Sequence, residues 1–497
     1  MRTVLSAQMS IGQTDIANIE LDLSSRDDIP QILQGLQYIY TTPALREAVF
    51  GILEELVPKK ASADGEAVVR TDTGRPGMDQ WKILVLGTLR LGLNSDYDRI
   101  LELANQHRTI REMLGHGLLD EDETYSLQTL KDNLTLFTPE LLDRINQEVV
   151  RAGHGLVNQA PEAGLSGRCD SFVVETDIHF PTDISLLYDA IRVMIRLCAV
   201  LCQDFGLPGW RHHQFNIRQF KKQYRKVQKL KHSTSKNEAK RHAKETAIRE
   251  AHEDYLKLAE HFLNRARTSR DHLNQDCGVP LTLLEELQTF MDDTERQMAQ
   301  IRRRVIEGEK IPHGEKVFSL FERHTEWISK GKAGVPVELG LRVCILEDTL
   351  GFILHHQVMQ QETDDKVAVE MVTDAQQRFS NLTVCSFDKG FHSSQNQSEL
   401  KAVLERVVLP KKGRLSKVDK EREYSEEFIA SRHQHSAVES AINALEVHGL
   451  DKCPDHGIIG FKRYVALAVL ARNIQKLGAI KRNLERERDR ASRQKAA

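Results

Sequence analysis

Apolar positions along this chain change their period as the sequence proceeds. From residue 30 to about 155 they recur at helical spacing, and the nearly all-apolar stretch Trp81 to Leu93 predicts a buried helix. It follows a polar break running from Ala61-Ser-Ala-Asp-Gly65 to Gly74-Arg-Pro-Gly77. Tyr125 to Leu134 and Thr138 to Ile145 predict two short helices around a tight connection, with Thr138 as N-cap and Pro139 at the first helical position. β-Branched and aromatic residues then take over in Cys169-Asp-Ser-Phe-Val-Val-Glu-Thr176, which reads as a buried strand.

Strand signals vanish from about 205 to 308. Ile248, Tyr255, Ala259, Phe262 and Ala266 share one helical stripe, and Leu284, Leu287, Met291, Met298, Ile301 and Val305 lie close to another. With Cys277-Gly-Val-Pro280 between them they predict a helical hairpin. Strands return at 316–321, 341–346, 352–358, 382–388 and 406–409, with a helix over 365–379. That order predicts the α/β class: a mixed sheet with helices on its faces, a large all-helical insertion and a helical N-terminal domain.

The boundaries follow. Residues 1–28, polar and acidic toward Glu20, Asp22, Asp27 and Asp28, read as a flexible arm, and 29–160 as a helical N-terminal DNA-binding domain, whose short helix pair at 125–145 has core packing as its plain reading and a helix-turn-helix in a DNA groove as its functional one. Residues 165–204 and 309–480 read as the two parts of the sheet domain, 205–308 as the insertion between them, and 481–497 as a charged tail.

Charge refines this picture locally. A net charge of −3 excludes a uniformly basic DNA-coating protein, but not a basic patch. Between Arg211 and Lys244 the insertion carries twelve Lys and Arg against the single acid Glu238, with Trp210, Phe215, Phe220 and Tyr224 interleaved at its start. Such a run is commonly a solvated helix face; neutralising phosphates is its functional reading, with Lys221, Lys222, Arg225, Lys226 and Lys229 as the candidate contacts.

Seven cysteines show neither zinc nor disulfide spacing and read as thiols of a reducing cytosol. The histidine pairs His212-His213, His355-His356 and His433-x-His435 lack zinc-site partners. No phosphate-cradling Gly-x-x-x-x-Gly-Lys loop, nucleophile elbow, signal peptide or membrane-length apolar run is present in the sequence. The expectation is a cytoplasmic protein with no membrane association.

Three acids carry the candidate chemistry. Asp170 lies in the first strand, Asp388 ends Leu-Thr-Val-Cys-Ser-Phe-Asp before Lys389-Gly390-Phe391, and Glu439 sits on an amphipathic helix with Val438, Ile442 and Leu445. From 170 to 388 is 218 positions, far more than one sheet needs, whereas 388 to 439 is a compact 51. Hard carboxylate oxygens suit Mg²⁺, and a metal pair about 4 Å apart can serve an in-line phosphoryl displacement. Each acid also has a bland reading: Glu439 three residues after Ser436 fits a capping box, Asp388 before Lys-Gly fits a turn, and Asp170 fits a solvated strand end.

The words around these acids change the balance. Arg168-Cys-Asp-Ser-Phe-Val-Val-Glu-Thr-Asp-Ile-His-Phe-Pro-Thr-Asp183, Lys330-Gly-Lys332, Ser386-Phe-Asp-Lys-Gly-Phe-His392, Leu409-Pro-Lys-Lys-Gly413, His435-Ser-Ala-Val-Glu-Ser-Ala-Ile-Asn443 and Gly460 to Asn473 resemble, in order, bacterial insertion-sequence DDE transposases of the ISNCY group. The resemblance spans roughly residues 30 to 480. It implies an RNase H-like catalytic domain in which Asp170, Asp388 and Glu439 bind Mg²⁺ or Mn²⁺, two ions together, for DNA strand cleavage and strand transfer. It also implies an N-terminal region that recognises the element's terminal inverted repeats, double-stranded target DNA, a homo-oligomer on DNA and a nucleoid-associated location.

Asp177 and Asp183, in the same matched run, compete for the first place; strand alternation sets Asp177 on the face opposite Asp170, and Asp170 is taken, while Glu446 competes for the third, where the match favours Glu439. Lys330, Lys332, Lys389, Lys411 and Lys412 lie in matched segments and are candidate DNA-phosphate contacts. The alternatives are an RNase H-like metal nuclease without strand transfer and a catalytically silent DNA-binding protein.

Overall fold

The computed structural model describes the chain apart from residues 1, 2, 7, 10, 23, 57–76, 118, 121, 158–163, 231–233, 276, 277, 330–335 and 497. It divides into two compact units, one formed by Met1–Asp177 with Glu326–Ala497 and one by Ile178–Thr325.

The first unit is organised by a seven-stranded mixed sheet: β1 (Leu165–Thr176), β2 (Glu326–Ser329), β3 (Val337–Asp348), β4 (Ile353–Val358), β5 (Leu382–Phe387), β6 (Arg406–Val408) and β7 (Lys452–Cys453). β1 is central. It runs antiparallel to β3 over Gly167 to Glu175 and parallel to β5 over Leu165 to Cys169. The other edge of β3 is shared by antiparallel β2 and β4, while β6 extends the parallel side beyond β5 and β7 the end of β1.

β1 and β3 press together where β3 has no side chain: a Cβ on Gly340 would stand 2.0 Å from the Val174 carbonyl oxygen. The buried strand residues Cys169, Val174, Val343, Ile345, Cys385 and Phe387 belong to one hydrophobic core that also takes in Leu33, Trp81, Leu142 and Leu470.

That shared core corrects two expectations. The N-terminal helices are not a separate domain: Asp28–Thr41, Gln80–Gly92 and Pro139–Leu156 all pack on the long C-terminal helix Gly457–Ala496. Buried Asn473 ties the bundle to the sheet, donating to Asn146 Oδ1 at 2.7 Å and the Ile353 carbonyl at 2.9 Å while accepting from Ile353 N–H at 3.0 Å. Its amide is thus fully used in an apolar surround. Nor is 1–28 a free arm. Ile16 and Ile19 are buried, Gln37 donates to both their carbonyls, and Trp81 N–H bonds the Val4 carbonyl at 2.9 Å. The expected tail at 481–497 continues the C-terminal helix as far as Ala496.

Thr138 does cap its helix, accepting from Leu141 N–H, and Pro139 is at the first turn. The helix buries Leu142, Ile145, Val149 and Val150, and both its arginines are ion-paired, Arg144 to Glu55 and Arg151 to Glu148. The apolar face of this helix is thus part of the core.

The second unit is helical and wider than the expected 205–308. Helix Asp183–Asp204, assigned from sequence to the sheet domain, buries Leu187, Ile191, Met194 and Cys198 in one core with Phe220, Tyr255, Phe262 and Met291. Tyr255 stacks on Phe220 with ring centroids 4.6 Å apart and donates to the Ile184 carbonyl at 2.9 Å. The two predicted stripes lie on helices Glu238–Gln275 and Leu281–Ile301, which pack together. The strand expected at 316–321 is not one; Leu320 is buried and Val317 packs on this helical core from irregular chain, so the apolar run closes a bundle instead of joining a sheet. Among the described residues no helix is long and apolar enough to cross a membrane.

Candidate acidic active site

Strand register brings the first two acids together. In the parallel pair, Cys169 stands beside Phe387. One residue further, Asp388 is still extended at φ −69° and ψ 161°, which continues the register toward Asp170, and its charge reaches Asp170. Parallel partners point to the same face and neighbouring strands lie about 4.8 Å apart, so the two carboxylates share one side of the sheet. Cys169 and Phe387 are buried on the other.

Glu439 arrives on helix Ala437–Leu445, which lays Val438, Ala441 and Leu445 into the core and packs against β1. The capping-box alternative fails. Ser436 is itself helical at φ −56° and ψ −19°, makes no side-chain cap, and its hydroxyl donates to the His433 carbonyl at 2.7 Å. Glu439 is left exposed with its carboxylate free of that duty. The turn reading of Asp388 holds in part, since its carboxylate accepts from Gly390 N–H at 3.3 Å, an arrangement that aims it without consuming it.

The charges act on one another. Asp170 is pushed up to about 7, first by burial and then by the neighbouring carboxylates of Asp388, Asp364 and Glu439, against the pull of its bond from Ser171 N–H. Asp364, at the start of helix Asp364–Arg378, was not anticipated from sequence. It accepts a 2.6 Å hydrogen bond from the Ser171 hydroxyl, next along β1 from Asp170. Gly390 makes room for it: a Cβ there would stand 2.8 Å from Asp364 Oδ2. Two residues past Asp388, the glycine thus lets a fourth carboxylate approach.

His435 is the other residue that sequence reading passed over, having been weighed only as a zinc ligand. Its Nδ1 lies 3.0 Å from Ser386 Oγ, and its Nε2 is buried with no hydrogen-bond partner. Burial lowers its pKa, opposed by the charges of Asp388 and Glu439.

The competing acids lie elsewhere. Asp177, past the end of β1, pairs with Lys452 at 2.7 Å. Asp183 pairs with Arg304 at 2.8 Å within the helical unit, and Glu446 opens the turn that ends the Glu439 helix. Of the candidate lysines, Lys389 and Lys412 are exposed, Lys411 is ion-paired with Asp419, and Lys330 and Lys332 lie outside the described residues.

The basic candidates of the insertion occupy helix His213–Lys229. Phe220 and Val227 face the core, while Arg218, Lys221, Lys222, Arg225, Lys226 and Lys229 line an open groove on the other side. Lys226 is partly committed, 3.1 Å from Asp254.

Chemically, the donor set is hard oxygen, which suits Mg²⁺ or Mn²⁺ over softer metals. Among the described residues no three His, Cys, Asp or Glu side chains already stand as a ready metal cage. Burial raises Asp170 most and the neighbouring carboxylates add to it; that added repulsion is what a divalent cation would relieve. Comparisons with protein-family models, curated proteins and solved structures return no match to this chain.

Proposed function

We propose that the chain is a DDE-class DNA transposase that binds the ends of its insertion sequence and catalyses metal-dependent strand cleavage and strand transfer. The observation that carries this reading is that Asp170 on β1 feels the charges of both Asp388, at the end of the parallel neighbour β5, and Glu439, on a helix packed against β1. Antiparallel β1, β3 and β4 followed by parallel β5 and β6 support the RNase H-like part of the proposal. Asp170, Asp388 and Glu439 would hold the metal, and Mg²⁺ or Mn²⁺ bound there would supply Lewis-acid activation and charge stabilisation for phosphoryl transfer.

The chain's own groups do the rest. Gly390 N–H fixes the Asp388 carboxylate, Ser171 fixes Asp364 against the same strand, and the Lys389 ammonium faces solvent beside Asp388, where a phosphate can meet it. The basic helix supplies phosphate contacts that are independent of sequence. Two DNA ends must be processed together, so a DNA-bound homo-oligomer belongs to the proposal.

The test incubates purified protein with labelled duplex carrying the gene's own flanking ends, with Mg²⁺ or Mn²⁺, and compares wild type with Asp388→Asn. The expected result is nicking and strand joining that fall by about 10²- to 10³-fold in the variant while binding persists. Nicking without joining would leave a nuclease, and binding without cleavage by either protein a DNA-binding role.

A further inference from the structure

Beside the acids, but not made of them, the sheet unit holds a cavity of about 600 Å³. Its wall includes Lys389, which follows Asp388, and Ser436, three residues ahead of Glu439. The volume falls within the roughly 300–1,000 Å³ of small-ligand pockets.

Three cations reach the wall: Lys389, Lys411 and Arg432. Lys411 is ion-paired with Asp419, and the wall's acid Glu423 accepts from Lys411 N–H at 2.8 Å and from the Arg422 guanidinium at 2.9 Å. Lys389 and Arg432 have no ion-pair partner among the described residues and so carry the uncompensated charge. The apolar wall is equally unspent, with Tyr424 66% exposed and Ile429 41% exposed. An aromatic ring and an aliphatic side chain left to water beside two free cations match a flat base attached to phosphate. A stacked duplex cannot offer a base face to a concave site, whereas an unstacked nucleotide can.

We propose that this cavity receives one nucleotide unstacked from the DNA next to the phosphate to be cut, its base against Tyr424 and Ile429 and its phosphates beside Lys389 and Arg432. The inference rests on the strand-cleavage reading above.

The test measures binding, in EDTA, of the labelled flanking-end duplex and of a series in which single nucleotides near the end are replaced by abasic sites. Wild type, Tyr424→Ala and Tyr424→Phe are compared. On intact duplex Tyr424→Ala is expected to bind about tenfold more weakly than wild type, and Tyr424→Phe equally well, since stacking needs the ring and not the hydroxyl. At one abasic position alone the tenfold ratio should collapse to about one, because the ring then has no base to stack on. A ratio of one on intact duplex, or a ratio unchanged at every abasic position, overturns the pocket; if wild type still cleaves with Mn²⁺, the transposase reading stands. If wild type neither binds nor cleaves, both fall together. Tyr424 is exposed, so circular dichroism of the variant should match wild type.

Discussion

Asp170 sits half-buried on the central strand of the sheet unit among other carboxylates, whereas Lys221, Lys222, Arg225 and Lys229 stand in solvent on one helix of the helical unit. Both are clusters of like charge, but only the first is paid for by the fold. Desolvation and neighbouring carboxylates shift Asp170, so its protonation depends on the whole sheet. The cations keep their water, and their effect is set by whatever anion and salt surround them. Under the proposed function the acids are the part whose chemistry depends on exact placement, and the cations the part whose binding tolerates substitution.

The sharpest break in that comparison comes from the acids. Glu439→Gln should lower metal-dependent cleavage by about 10²- to 10³-fold. Asp364→Asn, which acts through Ser171, should lower metal affinity by only about 10- to 100-fold, measured by titrating Mn²⁺ against activity. Equal losses would make Asp364 a ligand.

For the cations, replacing Lys221, Lys222, Arg225 and Lys229 together with Gln should make the plot of log affinity against log salt shallower by about 3 to 4. Filter binding at several salt concentrations reads this, and an unchanged slope would reduce the helix to a solvated face.

A third prediction concerns pH. Asp170 holds its proton up to about 7 in the folded chain but only to about 3.8 when unfolded. Folding thus favours the protonated form, and the stability Asp170 contributes falls as pH rises from about 4 through 7. Asp170→Asn should be more stable than wild type at pH 8 by about 2 kcal/mol and closely matched to it below pH 4, by urea unfolding. Metal affinity of the wild type should move the opposite way, rising as pH passes 7, because the ligand must lose its proton.

The smallest contrast is between Thr138 and Ser436, both of which the sequence offers as helix N-caps. Thr138→Ala should cost about 1 kcal/mol, because its hydroxyl caps a helix. Ser436→Ala should cost under about 0.5 kcal/mol, because its hydroxyl caps nothing.

Much of the sheet was legible because its strands advertise themselves: β1, β3, β4, β5 and β6 are runs of β-branched and aromatic residues. β2 and β7, four and two residues long, carry too little pattern. The run at 316–321 has the right composition for a strand, but burial alone does not say whether a sheet or a helical bundle does the burying. The same ambiguity misplaced helix Asp183–Asp204. In the site, Asp170, Asp388 and Glu439 stood out through their local words. Asp364 did not, because acids at a helix start are ordinary and its bond to Ser171 spans 193 residues of sequence. His435 was hidden for a related reason: its Ser386 partner lies 49 residues away, on another element.

The way the helical unit is spliced into the sheet bears on how the chain folds. Gly340 of β3 stands opposite Glu175 near the end of β1 on one side and Glu326 of β2 on the other. The chain therefore leaves the sheet at Asp177 and returns at Glu326 only about two strand spacings, or 10 Å, away. An unfolded insertion would tax the pairing of β1 with β3 with the entropy of closing a very long loop. Once the helices between Ile178 and Thr325 have condensed, that loop shrinks to a short bridge. The order of events this favours is helices first and sheet second, so the central strand that carries Asp170 should be among the last parts of the molecule to gain protection from hydrogen exchange during refolding.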